Sequence, residues 1–279
     1  MNKKYGRVKK MREKIKEYLL SQGIEFHSVL SYSDCREINS RLVDRQGFEP
    51  STVVIYLLPY YAGDGINLSR YATSLDYHLE IEEINRGLER IIKEFYPDAN
   101  VKGYGDHSPI DERHAASVSG LGMIGDNGLI INEKYGSFVF IGDIVTDISP
   151  SVFNADVPKS PSYCEHCGRC KRACPTKILS GEGDTCLSEI TQRKGELSDN
   201  EKALMRKYNT LWGCDECQSS CPHNAAPKKT PVKFFHCDRI EHLDREILDS
   251  MDDESFNKRA FAWRKRKTVE RNIDILNDK

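Results

Sequence analysis

The sequence predicts an α+β protein: a mixed-sheet α/β domain over residues 1–155, a compact cysteine-rich domain over 156–235 and a short basic helical tail over 236–279. Three observations carry that division. Helical and strand periodicities alternate through the first part, eight cysteines crowd between Cys164 and Cys221 in the second, and a charged helical pattern runs from Glu241 to Leu276 in the third.

Taken in order, Met11, Ile15, Tyr18 and Leu19 recur at helical spacing, and Gly23 falls where a left-handed residue would close that helix. Val53–Leu58 is a β-branched and aliphatic run ending at Pro59, the length of a buried strand. Leu75, Leu79, Ile84, Leu88, Ile91, Ile92 and Phe95 form one helical stripe that Pro97 stops, which predicts βα units. Gly128–Asn132 and Ser137–Ile144 predict two strands joined as a hairpin through residues 133–136. Prolines and serines over 149–162 then break the periodicity and mark the domain boundary.

A content of 38% hydrophobic and 9% aromatic residues is that of an ordinary globular chain, so disorder is not the expectation. Lysine plus arginine number 41 against 43 acidic residues; the net charge of −2 gives no global attraction to nucleic acid or membrane, and any basic surface must be local. Met1–Lys16 is charged throughout, unlike a signal peptide, and the longest apolar run, Val53–Ala62, is far short of the ~20 residues that span a bilayer. The expectation is a cytoplasmic protein, off the membrane and monomeric.

Clustering argues that the cysteines bind metal and do not form disulfides. Cys164, Cys167, Cys170 and Cys174-Pro175 have the spacing C-x2-C-x2-C-x3-C-P that holds bacterial-type [4Fe–4S] clusters. A second, altered motif follows: Cys186 alone, then Cys214, Cys217 and Cys221-Pro222. With the crossed ligation of two-cluster ferredoxins, one cluster takes Cys164, Cys167, Cys170 and Cys221, and the other takes Cys174, Cys186, Cys214 and Cys217. This defines a ferredoxin-like double [4Fe–4S] domain. Two four-thiolate zinc sites are the competing interpretation, but both Cys-Pro endings and the third cysteine at x2 spacing are superfluous for zinc. Cys35 and Cys237 fit neither motif and are expected to be small buried hydrophobes without a role.

Two clusters move electrons but do no substrate chemistry, which leaves the larger N-terminal domain to be explained. Here the chain resembles the epoxyqueuosine reductases. The resemblance is carried by Leu68-Ser-Arg-Tyr71 with Asp76-Tyr-His78, by Gly105-Asp-His-Ser-Pro109 with Glu112-Arg113, by Gly120-Leu-Gly-Met-Ile-Gly125, by Gly136-Ser-Phe-Val-Phe-Ile-Gly142, and by both cysteine motifs including Gly213-Cys-Asp-Glu-Cys-Gln218. It implies a cobalamin-binding reductase domain fed with electrons by the clusters, which converts epoxyqueuosine to queuosine in tRNA using a low-potential donor such as ferredoxin or flavodoxin. It carries the proton-donor role to Asp106, and cobalamin contacts to Ser69, Asp106, Ile130, Ile141, Ser188, Cys214 and Asp215. A carboxyl shielded from water has its pKa raised and can give a proton near neutrality, which suits the role; an aspartate in this context is also an ordinary turn former. Glu112 and Arg113 are expected to pair or to cap the following helix. The glycines at 120, 122 and 125 do not follow a strand, so they support no dinucleotide fold; under the resemblance they let a flat macrocycle approach the backbone.

The chain departs from that family in two places. It stops at Lys279 before the usual C-terminal helical repeats, leaving Phe256, Lys258, Arg259, Phe261, Trp263, Arg264, Lys265, Arg266, Lys267 and Arg271 as a basic, aromatic stretch that either contacts nucleic acid or is a solvated flank. Asp126 stands where the family generally has a lysine. A corrinoid reductase of a small molecule, akin to reductive dehalogenases, and a ferredoxin-like electron carrier are the alternative functions.

Overall fold

The computed structural model describes residues 2–278, which form two compact units: residues 2–59 with Glu80–Glu165, and Tyr60–Leu79 with residues 166–278. The first unit holds α1 (Asn2–Ser21), β1 (His27–Ser31), α2 (Ser40–Gln46), β2 (Thr52–Pro59), α3 (Tyr77–Phe95, from Glu80 onward), β3 (Val101–Gly105), α4 (Glu112–Val118), β4 (Met123–Ile124), β5 (Ile130–Ile131), β6 (Val139–Thr146) and α5 (Pro150–Phe153). Met11, Ile15 and Leu19 are the buried stripe of α1, and Gly23 closes it at φ +81° while Ile24 N–H reaches back to Leu19 O at 2.8 Å.

The main sheet has the order β1-β2-β6-β3, and every neighbouring pair is antiparallel. Strands β2 and β3 therefore run parallel to each other on either side of β6, so the βα alternation expected from sequence takes the form of a split βαβ unit. All eight residues of β2 are buried, as a strand covered on both faces requires. Val53, Ile55 and Leu57 pack with Leu30, Ile110, Ala115, Leu121, Ile130 and Val145. Tyr56 faces the other way, and its hydroxyl meets Asn85 Oδ1 of α3 at 3.0 Å.

The expected hairpin is reduced to one pair, Asn132 with Gly136. The Asn132 side chain explains this. Its Nδ2 donates to Leu121 O at 2.8 Å while its Oδ1 accepts from the N–H groups of Lys134 and Tyr135, which closes the turn on side-chain bonds. The strands then separate: β5 pairs with β4, and β6 enters the main sheet.

The second unit contains α6 (Arg169–Ala173), α7 (Leu187–Gln192), α8 (Asp199–Lys207), α9 (Glu216–Ser219), α10 (Arg245–Ser250), α11 (Asp253–Asn257) and α12 (Arg266–Asn277). Residues 60–79 lie here and not with the first 155, because Leu68 bridges Trp212 and Leu75 bridges Arg259. The C-terminal stretch is likewise part of a core: Phe256, Phe261, Val269 and Ile273 pack with Leu68, Leu211 and Trp212. Phe256 and Phe261 are thus unavailable for stacking on bases. Several of the arginines cap carbonyls: Arg259 donates to Asp238 O, Arg266 to Leu248 O and Met251 O, and Arg271 to Arg193 O and Gly195 O. Among the described residues no helix is long and apolar enough to cross a membrane.

Gly142 of β6 lies opposite Tyr56, and a Cβ there would come within 2.3 Å of the phenol ring, which is buried and hydrogen-bonded at its tip. Gly142→Ala is expected to destabilise the protein by about 1–3 kcal/mol in denaturant unfolding, since a ring fixed at both ends cannot yield.

Candidate functional site

Asp106 sits one residue past the pair Gly105–Gly142, at the end of β3, with φ +68°. A non-glycine residue in the left-handed region is held there by its surroundings. One contact of this turn is a hydrogen bond from the Asp106 N–H to Glu112 Oε1 at 3.2 Å. Asp106 itself is exposed, not shielded as expected, because the turn projects beyond the sheet. Beside it the first half of β6, Val139–Ile141, is only partly covered, whereas Gly142–Thr146 is buried. Ile130 and Ile141 belong to one apolar cluster that reaches this open end.

Two further acids bear on the turn: the half-buried Glu112, expected only to pair or to cap, and the fully buried Asp143, which the sequence did not single out. Asp111, not Glu112 or Arg113, caps α4, its Oδ1 accepting from His114 N–H at 3.1 Å. Glu112 is thereby turned inward, and burial, then Asp143, then Asp106 push it up to about 9. Asp143, fully buried on β6, is pushed up to about 7 by burial and held down in part by the Ser108 hydroxyl, which donates to its Oδ2 at 3.1 Å. The preference of aspartate over glutamate for the N-cap was the available signal for this arrangement. Arg113 instead reaches Gly128 O at 3.1 Å.

The glycine loop is explained by its own chain. Gly120 has φ +76° after α4, and a Cβ on Gly122 would meet Ile131 O at 2.8 Å across β4 and β5. These requirements are met before any macrocycle is considered. Residues 162–164 are stitched alongside β4, with Ile124 N–H to Ser162 O and Cys164 N–H to Ile124 O. This places the Cys164 Sγ 3.3 Å from the Asp126 N–H, which donates to it. The position that departs from the family thus touches a candidate ligand through its main chain.

In the second unit, Cys170 lies on α6, which packs on α9 carrying Cys217. Cys174 ends α6, Cys186 precedes α7 and Cys221 precedes the turn at Pro222. None of the ten cysteines is in a disulfide. Burial pushes the Cys214 thiol up to about 12; the Glu216 N–H draws it down, and Cys186 and Cys217 add to the rise, so a bound metal that shared their charge would favour the thiolates. At Cys174 burial works upward, but the N–H groups of Leu179, Thr176 and Ile178 and the Thr176 hydroxyl bond the sulfur and draw its pKa down. That donor set suits a cluster thiolate. Ser69, Cys214 and Asp215 line one cavity of about 160 Å³, where Asp215 Oδ2 accepts from Arg70 N–H at 2.7 Å and lies 3.3 Å from its guanidinium. Ser188 does not line it; its hydroxyl bonds Gln192 on α7. Cys35 packs at the edge of the first core, as expected of a small hydrophobe, but Cys237 is exposed, with its thiol bonded only to Lys233 O in its own turn.

The fold and the sulfur sites define a protein of the double iron–sulfur-cluster class. Residues 163–224 match the 4Fe-4S double cluster binding domain. The chain is 32% identical over 223 residues to the epoxyqueuosine reductase of Listeria monocytogenes, covering 75% of this chain and 56% of that protein. It is 30% identical over 248 residues to that of Cyclobacterium marinum, covering 84% and 77%, and 30% identical over 268 residues to that of Leadbetterella byssophila, covering 91% and 86%. The solved epoxyqueuosine reductase of Streptococcus thermophilus superposes with a TM-score of 0.75 at 24% identity, over 95% of this chain and 80% of that one. That of Bacillus subtilis, captured with an aspartate-bearing catalytic loop swung out of its active site, gives 0.74 at 25%, over 96% and 81%. The chain belongs to the epoxyqueuosine reductase family. It spans little more than half the length of the Listeria relative.

Cys186→Ala is expected to lower the iron content of anaerobically prepared protein from about eight to about four atoms per chain, with loss of half the charge-transfer absorbance, because one ligand set is broken and the other left whole.

Proposed function

We propose that this chain reduces epoxyqueuosine to queuosine in tRNA, in the cytoplasm and as a monomer, with Asp106 as proton donor. The observation that carries the reading is the Asp106 turn: a carboxyl on a left-handed residue whose N–H bonds Glu112, at the partly open apolar end of β6, in a chain of this family. Removing the epoxide oxygen as water consumes two electrons and two protons. The oxygen leaves once protonated, and an exposed Asp106 becomes the shielded acid this needs when the substrate covers the turn.

The eight cysteines in their crossed sets would hold the two clusters, loaded by a low-potential donor such as ferredoxin or flavodoxin. Cobalamin, when bound, supplies a strongly reducing cobalt centre. Ile130 and Ile141 offer it apolar strand ends in the first unit. A complex of another family member holds an epoxyqueuosine-modified tRNA-Tyr stem loop, which supports tRNA as the substrate here.

The deciding assay is single-turnover reduction of epoxyqueuosine-containing tRNA by protein reconstituted with both clusters and cobalamin. Conversion is expected to require cobalamin and to fall about 10²–10⁴-fold in Asp106→Asn. Untouched tRNA beside reducible cobalt would transfer the activity to a small-molecule substrate, and failure to bind a corrinoid would leave an electron carrier.

A further inference from the structure

Under the Asp106 turn lie two acids with no counter-charge. Asp143 is fully buried, its Oδ2 takes one hydrogen bond from Ser108, and its Oδ1 is buried without a partner. Glu112 is half-buried, and its Oε1 accepts from the Asp106 N–H, a bond that by itself favours its ionised form. Among the described residues no lysine, arginine or histidine forms an ion pair with either acid; Arg36 and Arg113 go to Asp111 at the surface. A buried carboxylate without a cation or a full set of donors is strongly disfavoured, and two that act on each other are more so.

The other titratable groups around them do not relieve this. Asp106 and Asp111 act on Glu112 as further like charges. Tyr56 on β2, Tyr104 on β3 and Cys35 after β1 feel the Asp143 charge and are themselves driven upward by burial, so they stay neutral. His107 is exposed; His114 gives only its main-chain N–H to the Asp111 cap, and its ring Nδ1 is buried without a hydrogen-bond partner. Burial of Asp143 and the like charges around Glu112 therefore both act to favour a proton on this pair.

We infer that Glu112 is a positioning residue for Asp106 and that Glu112 and Asp143 together retain one buried proton that keeps the Asp106 turn seated. With that proton present, the Glu112 oxygen accepts from the Asp106 amide without three adjacent negative charges. When the proton is lost, both carboxylates draw water in and the turn lifts from α4, taking the donor carboxyl out of register. This deepens the reading of Asp106 as proton donor and rests on it only for the rate.

The folded pair binds a proton that the unfolded chain's carboxyls release in the ordinary carboxylate range, so the stability it confers is greatest at acid pH and is lost as pH rises toward alkaline values. The test uses the cluster-loaded protein. Calorimetric unfolding at pH 7 in buffers of different ionisation enthalpy is expected to show wild type releasing about one proton more than Glu112→Gln, with Asp143→Asn as a second variant should the first fold poorly. Amide hydrogen exchange over residues 103–110 should speed up at least about tenfold between pH 7 and 9 in wild type, be fast at both in Glu112→Ala, and be slow at both in Glu112→Gln, whose amide oxygen still accepts. The single-turnover rate should follow the exchange: lost in Glu112→Ala, restored in Glu112→Gln with a flattened alkaline limb. Equal proton release by wild type and both isosteric variants, or slow exchange in Glu112→Ala, overturns the inference. If tRNA is not reduced at all, the proposed function fails while the proton and exchange measurements still decide this one.

Discussion

The first unit depends on the register of β6 between β2 and β3. That register sets Gly142 against Tyr56 on one side and Gly105 on the other, where a Cβ on Gly142 would strike the Tyr56 ring and one on Gly105 would press on the Ile81 side chain of α3. The next residue along, Asp143, is then driven into the core, and the next beyond Gly105, Asp106, is driven out of it. One pairing thus places an acid outside and an acid inside within a few residues of each other. Glu112 links the two levels because Asp111 takes the cap of α4 and leaves its neighbour no other direction.

The second unit obeys a different rule. Its helices are short, and their ends matter more than their lengths: Cys186 and Cys221 sit where a helix or turn begins and free N–H groups gather, and Cys174 ends α6 beside the N–H groups of the turn that follows. The stabilising apolar mass comes from elsewhere, from Trp212, Phe256 and Phe261 and the segment around Leu68. A sulfur-lined region cannot bury enough hydrocarbon of its own, so the C-terminal residues supply it.

Much of this was legible in the sequence. The α1 stripe, the Gly23 closure and the buried β2 run are local patterns that appear where periodicity puts them, and the α3 stripe does so from Ile84 onward, whereas Leu75 precedes the helix and Leu79 is exposed. The cysteine spacing was legible because cluster geometry tolerates few alternatives. What escaped was non-local. Nothing near Asn132 announces that its side chain will close a turn and send β5 and β6 to different sheets, and nothing in 236–279 announces that its aromatics are core. The burial of Glu112 was half-visible: a choice of cap one residue earlier would have revealed it, but Asp143 across the sheet would not have been found without the strand register.

The arginines of the C-terminal segment have a wider consequence. Arg259, Arg266 and Arg271 spend their guanidinium groups on main-chain carbonyls, and Arg264 lies over the Trp263 ring at 3.8 Å. Counting cations in that stretch therefore overstates the number of phosphates it can neutralise. Association of this face with a polyanion would displace few counterions, and its affinity would decline gently with added salt, where the composition alone implies a steep decline.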